Sequence, residues 1–384
     1  MKIERVEVFP TRLPLAAEFK TSRGTVASMA EGAPHIFVKI TGDTGAVGWG
    51  EARPSPRWSY ETPESVVTTL RGYLAPAVMG LAVDDEAAVR RAMEGQIAPS
   101  VHTGMPIAKS AIDMALCDLA ARAAGQPLVA LLRGVLGLPE AGAAEPVPLT
   151  YLVTSGDPED VARQVSAGVA AGFEGFKIKI GLAPERDAEI LDAASQSAGG
   201  AFLWADANQA YGLERAVEVG RAAERLGIDV LEQPLPAAAI AAQIELCKAL
   251  DVPVLLDESV FDLLQLEELL RLEALDGLVI KVSKMGGPRP AARCAARALE
   301  AGRLVLMSGL TESRLGLSAS GALLAALGLD RPADLNGPQF LAEDCQGAEM
   351  PRMAAHWPLP TGPGIGIEPE AGRLARFAAE EPGS

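Results

Sequence analysis

The chain opens with alternating apolar and polar positions. The stretches "RVEVFPTRLPL" and "HIFVKITGDTGAVGWGEA" put every second residue on one face, and the second contains a Gly-Asp-Thr-Gly turn. This is the pattern of antiparallel strands with one buried face. From Pro63 to Ala124 the period lengthens to that of a helix. "MPIAKSAIDMALCDLAARAAG" carries apolar residues at helical spacing, with Gly125 placed as a C-cap. Strands first and helices afterwards predict a separate α+β domain. The Gly/Pro/Ala-rich "GLPEAGAAEPVP" reads as a connector or an exposed loop.

Beyond it the rhythm changes. Short apolar runs alternate with amphipathic helices such as "DPEDVARQVSAGVAAG" and "GLERAVEVGRAAERLG", and the runs end at regular intervals. Lys179 to Asp206 is 27 positions, Asp206 to Glu232 is 26, Glu232 to Asp257 is 25, Asp257 to Lys281 is 24 and Lys281 to Ser308 is 27. A strand, a loop, a returning helix and a second loop fill that length, so the stretch predicts parallel βα repeats. Repeats in such number close most naturally into a (β/α) barrel. A doubly wound open sheet is the alternative, but it calls for a Gly-rich phosphate loop after its first strand. The pair Gly286-Gly287 lacks the spaced third glycine.

Composition narrows the partners. The 384 residues suffice for two or three domains, and 49% hydrophobic against 22% charged marks an ordinary globular chain. A net charge of -16 argues against nucleic acid or an anionic membrane, since both reward clustered Lys and Arg. "MKIERVEVFP" lacks the apolar core of a signal peptide, and no run of 18 uncharged apolar residues occurs, so a cytoplasmic location is expected. Cys117, Cys247, Cys294 and Cys345 form no C-x-x-C pair and read as buried small hydrophobes.

Three apolar stretches each end on one acid: Asp206 in "FLWADANQ", Glu232 in "VLEQPLP" and Asp257 in "VPVLLDES". In a parallel barrel every strand points its C-terminal end at one face, so the three carboxylates converge there. Ionised and unpaired they would repel, and a hard divalent cation resolves the conflict. Oxygen-only ligands with room for water and substrate suit Mg²⁺ better than Zn²⁺ or Cu²⁺. The plainer reading, that each acid caps the following helix, suits one such residue better than three in succession.

Lysines frame the acids. Lys177 and Lys179 in "GFKIKIG" share one side of a strand, while "LVIKVSKMGG" offers Lys281 at a strand end and Lys284 just beyond. Lys179 precedes the three acids and Lys281 follows them, which sets the two lysines on opposite sides of the cation. A lysine whose pKa is depressed there is a competent base, able to move a proton at either face of a carbon acid.

"FKIKIG", "DANQAY", "EQP", "DES", "KVSKMGG" and "LTESRLG", in this order, resemble the enolase superfamily in its muconate-lactonizing-enzyme subgroup. The resemblance covers nearly the whole chain. It implies an α/β fold, a modified (β/α)8 TIM-type barrel with an N-terminal α+β capping domain. The cap would span 1–130 and the barrel 131–350, with 351–384, including "GPGIGIEPE", returning to the cap. It also implies Mg²⁺ held by Asp206, Glu232 and Asp257, with Lys179 and Lys281 as the acid/base pair. Lys177, Asn208, Glu258 and Lys284 would support them. In that family the metal binds the substrate carboxylate and stabilises an enediolate formed by removal of the α-proton. Mandelate-racemase-like and sugar-dehydratase branches use a histidine late in the barrel, and this chain has none between His102 and His356. A symmetric homo-oligomer is also expected.

Substrate choice in this subgroup rests on loops. The cap supplies Arg23 and Thr25 in "FKTSRGTVASM", which suits a mobile lid, and Arg57, Trp58 and Tyr60 in "RPSPRWSYET". The late barrel supplies Ser308, Glu312 and Ser313. Dipeptide epimerases typically carry an Asp-x-Asp for the substrate ammonium, and here the corresponding residues are Asp334-Leu335-Asn336. The expected reaction is therefore racemisation or epimerisation of an amino-acid derivative or dipeptide, a small carboxylate. The alternative is cycloisomerisation of a muconate-type diacid, or a dehydration like that of o-succinylbenzoate synthase. A Schiff-base aldolase or a non-catalytic Mg²⁺-binding protein are more distant alternatives.

Overall fold

The computed structural model describes residues 1–21, 24–139, 145–347 and 350–379. Its N-terminal part is a three-stranded antiparallel sheet of Ile3–Leu13, Ala33–Gly42 and Val47–Ala52, with the second strand in the middle. Helices Pro63–Thr69, Glu86–Gln96 and Pro106–Ala123 follow. Thr62 starts the first with a capping box, its hydroxyl accepting from Ser65 N while Ser65 Oγ accepts from Thr62 N. Helix Pro106–Ala123 lies against the sheet at backbone-contact distance because the facing strand reads Gly48-Trp49-Gly50. A Cβ added at Gly50 would stand 2.1 Å from Ala111 O, and one at Gly48 would stand 2.2 Å from Ala115 O.

The second part is a seven-stranded parallel sheet in chain order: Tyr151–Val153, Gly175–Lys179, Phe202–Asp206, Val230–Glu232, Val254–Leu256, Gly277–Ile280 and Leu304–Met307. A helix follows each strand, from Pro158–Ala170 after the first to Arg314–Leu327 after the last. An eighth full strand is replaced by a two-residue bridge. Asp334 N donates to Met307 O at 2.9 Å, Ala333 N to Pro148 O at 2.9 Å and Thr150 N to Ala333 O at 2.9 Å. The bridge links the last strand to the first, so the expected barrel is present with one stave reduced to its minimum.

The alternation along the strands divides the interior. Leu203, Ala205, Leu231, Val254, Leu256, Leu278, Ile280, Val305 and Met307 belong to the large core shared with the helices. Phe202, Trp204, Val230, Leu255, Val279 and Leu306 form a separate cluster that fills the barrel. Two positions beyond that inner cluster come Asp206, Glu232, Asp257, Lys281 and Ser308. The period of two therefore carries these five side chains inward, one layer above an apolar floor.

The two parts meet over the barrel mouth. Glu51, one residue before the end of the third cap strand, accepts from Ser313 N at 2.9 Å, Ser313 Oγ at 2.6 Å and Gly316 N at 2.9 Å. A cap carboxylate thus satisfies the N-terminus of barrel helix Arg314–Leu327. His35 holds the same carboxylate from behind, Nδ1 to Oε1 at 2.6 Å. Near the C-terminus, Arg12 N donates to Phe377 O at 2.9 Å and Ala379 N to Pro10 O at 2.9 Å, against the first cap strand.

Candidate active site

Strand register sets the first contacts. Lys179 pairs with Asp206 across one strand boundary, and Asp206 with Glu232 across the next. Lys179 Nζ donates to Asp206 Oδ2 at 2.6 Å and to Asn208 Oδ1 at 2.8 Å. Asn208 in turn donates through Nδ2 to Glu258 Oε1 at 3.2 Å. Lys177 Nζ, fully buried over the Trp204 ring, lies 3.0 Å from Asp206 Oδ2, 2.8 Å from Glu232 Oε2 and 3.1 Å from Asp334 Oδ2. On the other side Lys281 Nζ donates to Asp257 Oδ2. Lys284 Nζ donates to Asp257 Oδ1 at 2.9 Å, Asp257 O at 2.8 Å and Val279 O at 2.8 Å.

These contacts control the charges. Burial opposes ionisation of Asp206, but Lys177 and then Lys179 outweigh it and hold the carboxyl down to about 2. Burial is likewise outweighed at Asp257, where Lys281 and then Lys284 keep the carboxyl below its ordinary range. Glu232 goes the other way, raised well above its usual value by burial and then by the charge on Asp206. Glu258 is pushed up to about 7 by burial and then by Asp257. Burial would lower Lys281, yet Asp257 prevails and raises it, whereas at Lys284 burial wins and lowers it.

The donor set suits a hard cation. All three strand-end acids are buried, all offer oxygen, and among the described residues Glu232 Oε1 has no hydrogen-bond partner. In the arrangement described, the carboxylates face ammonium groups rather than one another. Among the described residues no group of three acid, histidine or cysteine side chains forms a cage for a metal ion.

The late barrel residues line the same mouth. Asp334 Oδ2 accepts from Ser308 Oγ at 3.0 Å, and Asp334 Oδ1 accepts from Asn336 Nδ2 at 2.8 Å. Asn336 Oδ1 accepts from Thr311 Oγ1 at 2.9 Å. Glu312 accepts from Leu310 N at 2.7 Å and Ser283 Oγ at 3.2 Å, and its carboxyl is pushed up to about 7 by burial and then by Glu51. Ser313 spends its hydroxyl and its amide on Glu51.

The cap residues divide. Trp58 lies over Lys281, Nζ to ring centroid 4.3 Å. Arg57 is exposed, and Tyr60 is turned to the cap, its Oη accepting from Met105 N at 3.0 Å. Arg23 lies outside the described residues, and for Thr25 only its backbone place opposite Lys20 falls within them.

Several contributors escaped the sequence reading. Gln233 is buried in the left-handed region at φ 37 and accepts through Oε1 from Asp257 N at 2.9 Å and Ser259 N at 3.2 Å. It fixes the turn that aims Asp257, and its signal was the polar residue directly after Glu232. Phe261 packs beside Trp58 with centroids 6.2 Å apart and stacks on His102 at 4.4 Å. Arg53 is buried beside the negative field of Glu312 and Glu51, and among the described residues its Nε has no partner. No local pattern marked it.

A parallel barrel whose strand ends carry acids between two lysines defines an enolase-like enzyme fold. Residues 160–373 match the model of the enolase C-terminal domain-like family, and residues 3–155 match the N-terminal domain of mandelate racemase/muconate lactonizing enzyme. The chain belongs to the mandelate racemase/muconate lactonizing enzyme family of the enolase superfamily. It is 30% identical over 372 residues to L-Ala-D/L-Glu epimerase from Bacillus subtilis, covering 96% of this chain and 97% of that one. The crystal structure of N-succinyl Arg/Lys racemase from Bacillus cereus superposes with a TM-score of 0.88 at 27% identity, covering 99% of both chains. That of muconate lactonizing enzyme from Pseudomonas fluorescens, complexed with muconolactone, gives 0.88 at 26%, covering 98% of this chain and 99% of that one. The relatives are isomerases, and enzymes of this family use Mg²⁺. No helix among the described residues is long and apolar enough to cross a membrane.

Proposed function

We propose that this protein racemises or epimerises the α-carbon of an N-acylated amino acid, with Asp206, Glu232 and Asp257 holding Mg²⁺. The observation that carries the reading is the placement of Lys179 and Lys281 on either side of the three acids, each bonded to a different one. When bound, the cation would supply positive charge that favours ionisation of the carbon acid and offsets the Asp257 carboxylate that raises Lys281. Lys179 then takes or returns the proton at one face and Lys281 at the other. Asn208 orients Lys179, and Lys177 keeps Asp206 ionised.

The preference for an acylated nitrogen rests on Asp334. Its two oxygens already meet Lys177, Ser308 and Asn336, and Asn336 is spent on Asp334 and Thr311. A free substrate ammonium finds no uncommitted carboxylate pair there. The acyl amide, being neutral, needs none. A cytoplasmic homo-oligomer completes the proposal.

The test is proton NMR in D₂O with Mg²⁺ and matched N-succinyl, N-acetyl and free-amine dipeptide substrates. Loss of the α-proton signal from the acylated compounds, faster than from dipeptides, is the expected result. No exchange with any of them, together with lactone formation from a muconate-type diacid, would move the protein to the cycloisomerases.

A further inference from the structure

A second cavity lies at the seam of cap and barrel, away from the three acids. Its volume is about 570 Å³, the size of a small-molecule site, and its walls include Met93, Val101, Leu264, Met285, Lys109 and Arg289. The stacked pair His102 and Phe261 stands between it and Trp58 at the barrel mouth.

The cavity holds a cation without a counter-ion. Lys109 is only 5% exposed, yet among the described residues its ammonium has one hydrogen-bond partner, Thr103 Oγ1 at 3.2 Å, and no carboxylate in contact. Glu94 and Glu61 act on it only through space, and burial lowers its proton affinity. An ammonium has three donors, so two are left over. Four acids line the cavity. Glu94, half-exposed and 3.9 Å from Arg90, reaches Lys109 only through space, and the other three are committed elsewhere. Asp113 accepts from Arg289 Nε at 2.7 Å, and Glu86 takes both ends of Arg293 at 2.6 Å. Asp262 accepts from Thr103 N at 2.8 Å and Gln265 N at 2.9 Å. Arg289 adds a second unfilled donor, since among the described residues its buried Nη2 has no partner. Lys109 and Asp113 lie one turn apart on the same helix, and Lys109 and Arg289 both line the cavity.

We propose that this cavity binds a small organic carboxylate, its anionic head on Lys109 and its short aliphatic tail against Met93, Val101 and Leu264. A buried ammonium with one neutral acceptor and no contacting carboxylate is costly, and a carboxylate head supplies the missing charge and acceptors. The mouth is apolar: Val101 is 79% and Leu264 72% exposed, and a tail of a few carbons covers them.

The probe is hexanoate, titrated calorimetrically into the full-length protein with Mg²⁺ present. Acetate has the head without the tail, and hexanol the tail without the head. One saturable hexanoate site per chain is expected, with both truncated probes at least about tenfold weaker. Lys109→Met should weaken hexanoate by about tenfold or more, and Lys109→Arg should retain most of the affinity. Leu264→Asp, at an exposed position where the fold tolerates change, should weaken it as well and serves if Lys109→Met fails to fold. No saturable binding below ~10 mM overturns the proposal. So does binding that survives Lys109→Met, or Leu264→Asp, but is lost in Lys281→Ala, which would place the probe at the barrel mouth.

Discussion

The Lys281 ammonium lies 4.3 Å from the centroid of the Trp58 ring while its Nζ donates to Asp257 Oδ2. One residue comes from the cap and the other from a barrel strand, so the cap completes the setting of this lysine. A cation over an indole face gains roughly 0.5–2 kcal/mol. Trp58→Ala should slow α-proton exchange at the Lys281 face by about threefold to thirtyfold and leave the Lys179 face nearly unchanged. Trp58→Phe should recover most of the loss. Equal slowing of both enantiomers would assign Trp58 to general packing instead.

Removing the acids separates chemistry from stability. Asp206→Asn, Glu232→Gln and Asp257→Asn should each abolish activity, because each takes one charge from the Mg²⁺ set. Their stabilities should differ. Asp257 is the carboxylate bonded to both Lys281 and Lys284, so its loss removes the bonded counter-charge of two buried ammonium groups and should cost about 3–5 kcal/mol. Glu232 shares Lys177 with Asp206 and Asp334, so Glu232→Gln should cost less. Urea unfolding of the three variants measures the order, and full activity in EDTA would refute the metal set.

The barrel was legible because its signal repeats: period-two strands ending on chemically distinct residues at nearly constant spacing. The same alternation made the gathering of Lys179, Asp206, Glu232, Asp257 and Lys281 at one end readable. The eighth stave was not, since two residues, Ala333 and Asp334, carry no period. Gln233, Phe261 and Arg53 were missed for another reason. Their contacts are made across loops and between domains, through left-handed backbone or ring stacking that local patterning does not encode. Ser313 adds a contact of the same kind: its place beside Glu312 pointed to substrate, and its hydroxyl also bonds the cap carboxylate Glu51, a contact between domains that no local pattern encodes.

That seam gives a stability test. Glu51 accepts three hydrogen bonds at the N-terminus of helix Arg314–Leu327. Glu51→Ala leaves the donors unmet and should cost about 2–4 kcal/mol, read as a lower urea midpoint. Ser313→Ala removes one of them and should cost about 1 kcal/mol.

Glu312 predicts a pH dependence. Its folded value of about 7 lies above the ordinary 4.5, so between those values the folded state binds more protons than the unfolded. Its contribution to stability is fully present below pH about 4.5 and is lost as pH rises through about 7. Glu312→Gln stays neutral and should flatten that part of the stability profile by on the order of 3 kcal/mol. Unfolding free energies at about pH 4 and about pH 8, one point on each side of the window, check the slope. An unchanged slope would place the titration elsewhere.

The two lysines carry the last prediction. Lys179 is bonded to Asp206 and Asn208 on one side of the acids, and Lys281 to Asp257 on the other. If each serves one face of the α-carbon, each exchanges the proton of one enantiomer only. Lys179→Ala and Lys281→Ala should both stop racemisation, because the second face can no longer be reprotonated. The remaining lysine should still exchange its own enantiomer, but more slowly, since a positive charge beside the developing anion is gone. The enantiomer that depended on the deleted lysine should lose on the order of 10²-fold or more. Because Lys281→Ala also leaves Asp257 with Lys284 alone, its Mg²⁺ affinity should be measured alongside. Exchange in D₂O, enantiomer by enantiomer, gives the answer. Two mutants that each exchange both enantiomers equally would mean the lysines do not oppose each other, and one lysine carrying all the activity would point to a one-base cycloisomerase.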